Sequence, residues 1–567
     1  MKQVQTEKFL GRLLGFTGAF TTIFILSGSV TDPVNVTKLV AIGVFGSASL
    51  AIVISNNLRS TLSNNRILIG LLITLIIFMI LSSFFSAAPM TQLLYGSYGR
   101  NNGLFTYIFL SFILLSAATL SSRGSFQSII NSMLIAGIVN LFYCAWVLLF
   151  GDFIGWSNPY GNILGTLGNP NFIGAFLGII FSALVAITIN SYSTHLVRIL
   201  SACGMLVCAI EIVQSHAIQG RIVAAFGTSI VLFIFIRSRF NKIVLISYML
   251  ISSLLGSLAL AGALQIGPLT QFIYKTSVSL RGQYWLAGWN TGQEHPFTGV
   301  GMDAFGDWYR RMRDPHALVL PGVNTVVNAA HNVPIDIFAF GGWPLLVTYL
   351  FIMGAAGLSL IRVITRTKNY DLNFTILASS WVGYQLQSIV SINQIGLAVW
   401  GWLLSGALIS YERFTRDSAN LNNFTEFAGK KNRVKPKSAL PAQVQIFATV
   451  GGLVGLLIAL PPLTADTKWR SSQIKRTLPA LQDAMERSYF NPPNSMKYLT
   501  TIQSLEQSEL FDLAHNYALE AVQWNPDAFE LWKVLYLIKN STQAEKDEAL
   551  KNMKRLDPLN PDVTSIQ

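Results

Sequence analysis

The chain has 567 residues, 51% of them hydrophobic and only 12% charged, with a mean hydropathy of +0.47. That charged fraction is about half of a soluble chain's, which excludes an ordinary soluble domain and points to an integral membrane protein. The formal charge of +13 does not point to nucleic acid, because the basic residues are spread over short loops between apolar runs, where they orient a membrane protein.

In chain order, "MKQVQTEKFLGRLL" leads into an apolar run without a small-residue cleavage site and reads as a retained first helix. Spans follow at 10–28, 36–55, 67–85, 104–120, 128–150, 171–190, 198–215, 221–236, 243–262, 331–360, 372–391, 396–412 and 442–463. By the length criterion of about 17–25 residues that is about 12–13 membrane helices. The expected fold is all-α: a polytopic helical bundle over 1–412 with a long outer loop (263–330), a cytoplasmic linker (413–441), a last membrane helix (442–463) and an outer C-terminal domain (464–567). The three cysteines, Cys144, Cys203 and Cys208, lie in apolar runs and fit buried small hydrophobes, not disulfides or a metal site.

Placing Lys2, Lys8 and Arg12 in the cytoplasm puts Arg59, Arg66, Arg123, Arg198, Arg237, Arg239, Lys242, Arg362, Arg366 and Lys368 on the same side, in accord with the positive-inside rule. The exceptions on the outer side are Lys38, Arg100, Arg221, Lys275, Arg281 and the cluster Arg310, Arg311 and Arg313. Arginine kept on the disfavoured side is expected to meet an anion, the alternative being a snorkelling side chain.

In the tail, Ala480, Ala514 and Ala549 precede Asn491, Asn525 and Asn560 by eleven residues each, with periods of 34 and 35. Small residues where helices touch, then Asn-Pro as a stop, fit a tetratricopeptide-like array. Such an array offers a surface to a protein partner or serves as a cap on the membrane domain.

No phosphate-binding Gly-Lys loop and no zinc-protease helix motif occurs. "GVGMDAFG" (299–306) carries Ala304 where a dinucleotide loop has its third glycine, and tight turns explain it better. No cofactor and no metal is expected. Chemistry on the outer side then needs a pre-activated donor, and a lipid-linked diphosphate is one. Arg100, Arg221 and Arg281 can hold its phosphates and stabilise the charge that grows on the leaving group. His331, fifty residues after Arg281, can take a proton from an acceptor hydroxyl or hold a phosphate. Glu211 either pairs with Arg221 or snorkels, and Asp336 either orients His331 or is a satisfied buried carboxylate.

"GTLGNPNFIGAFL" (165–177), "QGRIVAAFG" (219–227), "RGQYW…HPFTGVGMDAFG" and "AHNVPIDIFAFGGWP" together resemble the O-antigen ligase and polymerase superfamily, over residues 90–350. The resemblance implies a metal-independent glycosyltransferase that uses polyprenyl-diphosphate-linked glycans at the outer face of the bacterial inner membrane and inverts the sugar carbon. It implies that Arg221 and Arg281 hold the diphosphate, that His331 serves the catalytic centre, and that Arg100 and the turn Asn169–Pro170–Asn171 line the cavity. Asn332 of the "HN" pair and Glu294 of "QEHPFTG" join the substrate-binding candidates. Leu345 stands where the ligases show a small or hydroxyl residue. The acceptor is a lipid-core sugar (ligase), a growing glycan (polymerase) or a protein hydroxyl (oligosaccharyltransferase), with ligase favoured. A solute transporter is the rival of another class, but its polar residues would gather near the midplane in paired repeats, and here they gather at one face.

Overall fold

The computed structural model describes residues 2–422 and 440–566; most of the expected linker, 423–439, lies outside the described residues. Apolar segments in lipid must satisfy their own backbone groups, which selects helices, and the described residues form helices and no strand. The membrane part contains α1 (Lys2–Ile23), α2 (Asn35–Phe84), α3 (Met90–Tyr95), α4 (Leu104–Ala117), α5 (Arg123–Phe150), α6 (Pro170–Ile189), α7 (His195–Gln214) and α8 (Ile218–Arg239). It continues with α9 (Lys242–Ala263), α10 (Thr270–Ile273), α11 (Thr276–Glu294), α12 (Phe305–Met312), α13 (Val333–Arg366), α14 (Leu372–Val390), α15 (Ile395–Asn422) and α16 (Ala442–Lys475).

Among the described residues ten helical segments are long and apolar enough to cross a membrane, with α4 shorter. The protein is a multi-pass membrane protein. Helices α1 and α14 are more polar but pack inside the same bundle: Gly11 and Gly15 of α1 sit against Ser125 and Ser132 of α5, and α14 buries Thr375, Ser379, Ser380 and Gln387.

Helix α2 counts 50 residues, which as a straight rod would reach about 75 Å. That length is incompatible with its ends. Asn35 Nδ2 donates to the Gly99 carbonyl at 2.7 Å, the Ser97 N–H donates to Asp303 at 2.8 Å, and Ser86 Oγ donates to the Val300 carbonyl at 2.6 Å. Short chain segments join these points, so Asn35 and Ser86 lie at one end of the bundle. The halves Asn35–Asn56 and Ser60–Phe84 therefore run antiparallel, as the two spans expected from the sequence.

The basic loops collect at the opposite end. Arg123 lies 3.7 Å from Asp371, Arg237 donates to the Thr367 carbonyl, and Arg239 donates to Ser191. Ser122, Thr194, Asn241 and Asp371 cap the helices that start there, each satisfying an N–H that the helix itself leaves open.

Helix α16 runs through Pro461 and Pro462 past the expected boundary at 463 as far as Lys475. The tail follows as α17 (Leu478–Met485), α18 (Ser495–Gln507), α19 (Phe511–Trp524), α20 (Phe529–Leu537), α21 (Gln543–Leu556) and α22 (Pro561–Thr564). Helices α18–α19 and α20–α21 pair as hairpins around their own apolar core, in which Ala514, Ala518, Ala521 and Ala549 are fully buried. The periodic Asn491, Asn525 and Asn560 are buried too. Asn491 donates to the Ala484 and Glu486 carbonyls, and Asn560 caps α22.

Candidate functional site

The site is built where α11 meets the start of α13. Gly288 and Gly292 of α11 lie one turn apart, and a Cβ on either would collide with α13: at 2.6 Å from Ile335 and 2.4 Å from Phe338. This small-residue spacing lets the helices approach closely. It sets Arg281, Tyr284 and Trp285, which share one face, beside His331. The Tyr284 and His331 rings are 5.4 Å apart, and Trp285 Nε1 donates to the His331 carbonyl at 3.3 Å.

His331 itself has φ +57, a conformation costly for a residue with a Cβ. Neighbouring groups hold it. Asn332 caps α13 by accepting the Ile335 N–H at 3.1 Å, and Asp336 Oδ1 accepts the Ala330 N–H at 2.7 Å. Asp336 thus fixes the backbone before His331 and does not bond the ring; its Oδ2 is buried without a partner. Neither expectation for Asp336 is met in full.

Among the described residues no hydrogen bond reaches either His331 ring nitrogen. Burial, with Arg281 and then Arg100 nearby, pushes the imidazole down to about 4, so at neutral pH it is uncharged. The Arg281 guanidinium donates only to the Ser277 carbonyl, at 3.2 Å within its own helix, and its Nε is buried without a partner. Among the described residues no carboxylate pairs with it, and burial lowers its proton affinity.

The other arginines differ. Arg100 forms a buried ion pair with Asp303 at 3.2 Å and donates to the Asn328 carbonyl, so it enters the site as a braced neighbour, not as an open phosphate ligand. Arg310 pairs with Asp557 (2.9 Å) and Glu530 (2.7 Å), Arg313 with Asp557 (2.6 Å), and Arg311 with Asp527 (3.3 Å). This cluster was expected to meet an anion; its anions are the tail's own carboxylates. Lys38 is likewise occupied: fully buried, it donates to the Thr21 and Thr22 carbonyls at the end of α1.

Arg221 is exposed in the first turn of α8. It stands at the same end, because Gly220 lies against Gly174 at the head of α6, and Gln219 donates to the Val390 carbonyl near Asn102 and Asn393. Among the described residues it makes no hydrogen bond or ion pair. Glu211 does not pair with it; that carboxylate is buried in α7 with both oxygens unpartnered.

Asn169 caps α6, accepting the Asn171 N–H at 2.9 Å and donating to Tyr160. The Asn169–Pro170–Asn171 turn is thus a helix start, with Gly174 and Gly178 behind it packed on α8. Glu294 is exposed at the end of α11. Neither is drawn to His331.

Helix α13 is interrupted at Gly341 and Gly342, the latter with φ +65 and its Cβ position 2.3 Å from the Pro296 carbonyl. The break frees the Ala339 and Phe340 carbonyls to accept the Val300 and Gly301 N–H groups at 2.9 and 3.0 Å. The "GVGMDAFG" segment is a set of turns with positive φ at Gly299, Gly301 and Asp303, docked into that break. Leu345 is buried against Gly341. Sequence reasoning missed Tyr284, Gly288 and Gly292, although the Gly-x₃-Gly spacing of the last two was readable.

Among the described residues no group of three His, Cys, Asp or Glu side chains is placed to hold a metal ion. Residues 203–350, from α7 through α13, match the O-antigen ligase family. That stretch is similar to an O-antigen ligase domain. The matched stretch contains Arg221, Arg281, Glu294, His331 and Asn332, and leaves Arg100, Asn169, Asn171 and the tail outside it. No curated protein matches the chain. The match supports a membrane glycan-processing enzyme of the O-antigen ligase superfamily.

Proposed function

We propose that the protein transfers a glycan from a polyprenyl-diphosphate carrier to an acceptor hydroxyl at the outer face of the bacterial inner membrane, as an O-antigen ligase does. The observation that carries this reading is Arg281: a guanidinium without an acid partner, beside an uncharged His331 whose ring nitrogens are open. Arg281 offers the donor's diphosphate two parallel N–H bonds. Arg221, exposed at the same end, offers a second cation from the α8 side.

In the transfer, the acceptor oxygen attacks the sugar's anomeric carbon, the bond from that carbon to the phosphate oxygen breaks, and its electron pair leaves on the diphosphate. Arg281 stabilises that charge in a site shielded from water. His331 takes the acceptor's proton. An imidazole at about 4 is a weak base in the empty site, but bound diphosphate offsets the positive field of Arg281 and Arg100 and raises it. No step requires a metal; fixed guanidinium groups fill that role. The collection of basic loops at the far end supports placing the His331 end outside. The tail's paired hairpins support reading it as a tetratricopeptide-like unit on that side.

The test is a deletion strain complemented with wild type, His331→Ala or Arg281→Ala. Glycan-capped lipid should vanish in the deletion and in both variants while each variant stays in the membrane. Loss of the chain-length ladder or of glycosylated protein instead would move the enzyme to polymerase or oligosaccharyltransferase. Full activity in both variants would refute the site.

A further inference from the structure

A cavity of about 260 Å³ lies between the tail and the membrane domain. It is lined by Asn101 and Asn328 but by neither His331 nor Arg281, so it is not the reaction centre. It is close to it. Asn101 follows Arg100, whose field reaches His331, and the Asn328 carbonyl accepts from Arg100.

The lining says what can bind. Tyr95, Tyr98, Trp524 and Phe529 supply aromatic surface. The charged groups are already engaged. Asp466 accepts the Thr31 and Asp32 N–H groups and the Tyr98 hydroxyl, while Asp307 accepts from Gln92 and Asn525. Arg310 is held by Glu530 and Asp557. Neither a cation nor an anion would find an open counter-charge. What remains open is neutral: Asn101 is 4% exposed, yet among the described residues its Oδ1 has no hydrogen-bond partner, and the Thr91 hydroxyl is buried in the same state. Such groups are costly to bury unbonded, and an uncharged ligand rich in hydroxyls would satisfy them. The volume is at the small end of ligand pockets, roughly 300 Å³ upward, which suits a short stretch of glycan and not a long chain.

We infer that this cavity is a saccharide subsite assembled jointly by the tail and the membrane domain, with Asn101 as its buried hydrogen-bonding group and Trp524 as an aromatic wall. The inference rests on the glycan-transfer reading and adds to it a place where sugar residues away from the reacting carbon are held. The tail is then part of the substrate site, docked by Arg310 and Arg313 so that the wall stands in place.

Binding tests it separately from turnover. The probes are two: the free oligosaccharide released by mild acid from the cell's own polyprenyl-linked glycan, and the delipidated envelope glycan of the deletion strain. Each is titrated against the full-length protein in detergent, following the tryptophan emission that Trp524→Phe removes. Asn101→Gly keeps the positive φ of +55 and deletes the amide; Met496→Trp narrows the rim from a side chain 49% exposed. The expected result is saturable binding of one probe, weakened about tenfold in both variants, the scale of losing a partner for a buried polar group. Which probe binds tells donor from acceptor sugar. Binding unchanged in both variants, or no saturable binding of either probe, overturns the subsite and leaves His331 and Arg281 untouched. Transfer retained in His331→Ala with intact probe binding sinks the reaction reading and leaves the subsite standing.

Discussion

Two arginine-bearing junctions at the same end of the bundle differ in one respect. At the α12–tail contact each guanidinium faces a carboxylate: Arg313 and Asp557 are both fully buried 2.6 Å apart, and Arg310 also lies over the Phe529 ring at 4.4 Å. At the α11–α13 contact Arg281 faces an imidazole and no acid. Both arginine groups lie at the end away from the basic loops, so position in the chain cannot separate them. The partner does. A paired arginine holds two parts of the protein together, while an unpaired, half-buried one is open to the anion proposed for Arg281.

The strongest way to break this comparison is to remove each kind in turn. His331→Ala should cost transfer about 10²–10⁴-fold, the range for a lost proton acceptor, and Arg281→Ala about 10²–10³-fold, the range for a lost charge-stabilising donor. Arg281→Lys keeps the charge but loses the two-pronged geometry, and should recover only part. These rates, measured on purified protein at saturating donor, should fall while thermal unfolding stays near wild type.

The tail junction should show the reverse pattern. Arg313→Met leaves the buried Asp557 with Arg310 and Asn560 as its remaining partners, so the cost should fall below the about 3–5 kcal/mol of a buried pair that loses one partner outright. Limited proteolysis should then cut within α17–α22 at lower protease. Replacing both partners, Arg313→Met with Asp557→Leu, should cost less than the sum of the two single variants. A double variant as damaged as the sum of the singles would mean the two residues do not act as a pair.

A smaller effect should follow from the packing that joins Arg281 to His331. Gly292→Ala puts a methyl 2.4 Å from the Phe338 ring, an overpacking cost of about 1–3 kcal/mol. Because it moves α11 without touching a polar group, it should reduce turnover and stability together. Phe338→Leu in the same chain should restore part of both. An unaffected Gly292→Ala enzyme would show that the α11–α13 spacing does not set the site.

Much of this was legible in the sequence. Apolar runs marked the spans, including the two halves of α2, and the isolated polar groups marked Arg281 and His331. What escaped depends on contacts between segments far apart in the chain. Asp557 meets Arg313 across 244 residues, and nothing near Arg310 or Arg313 announces such a partner. Arg100 reads as an open cation until Asp303 is folded against it. Asn169 and Asn332 look like binding residues, yet both bond backbone N–H groups as helix caps, a role that polar residues before Pro-led helices fill for local reasons. The Gly341–Gly342 break was hidden because its purpose, receiving the 299–301 turn, lies in another segment.

The subtlest difference between the junctions is electrostatic and can be read at one ring. His331 is held at about 4 mainly by burial, then by Arg281 and Arg100, against about 6.5 for a free imidazole. In a protein with six histidines, ¹³C-labelled imidazole resonances, assigned through His331→Gln, should show this ring neutral down to about pH 4. Arg281→Met removes a nearby positive charge and should raise its pKa, though not to 6.5, because burial remains. Arg311→Met, in the paired cluster, should leave it in place. The sign carries over to stability. Between about 4 and 6.5 the unfolded chain binds this proton and the folded one does not, so the contribution is whole above 6.5 and is lost as pH falls toward 4. Arg281→Met should narrow that window from below. A His331 that titrates near 6.5 in the wild type would mean the ring is open to water, and Arg281 would then be no different in kind from the arginines of the tail contact.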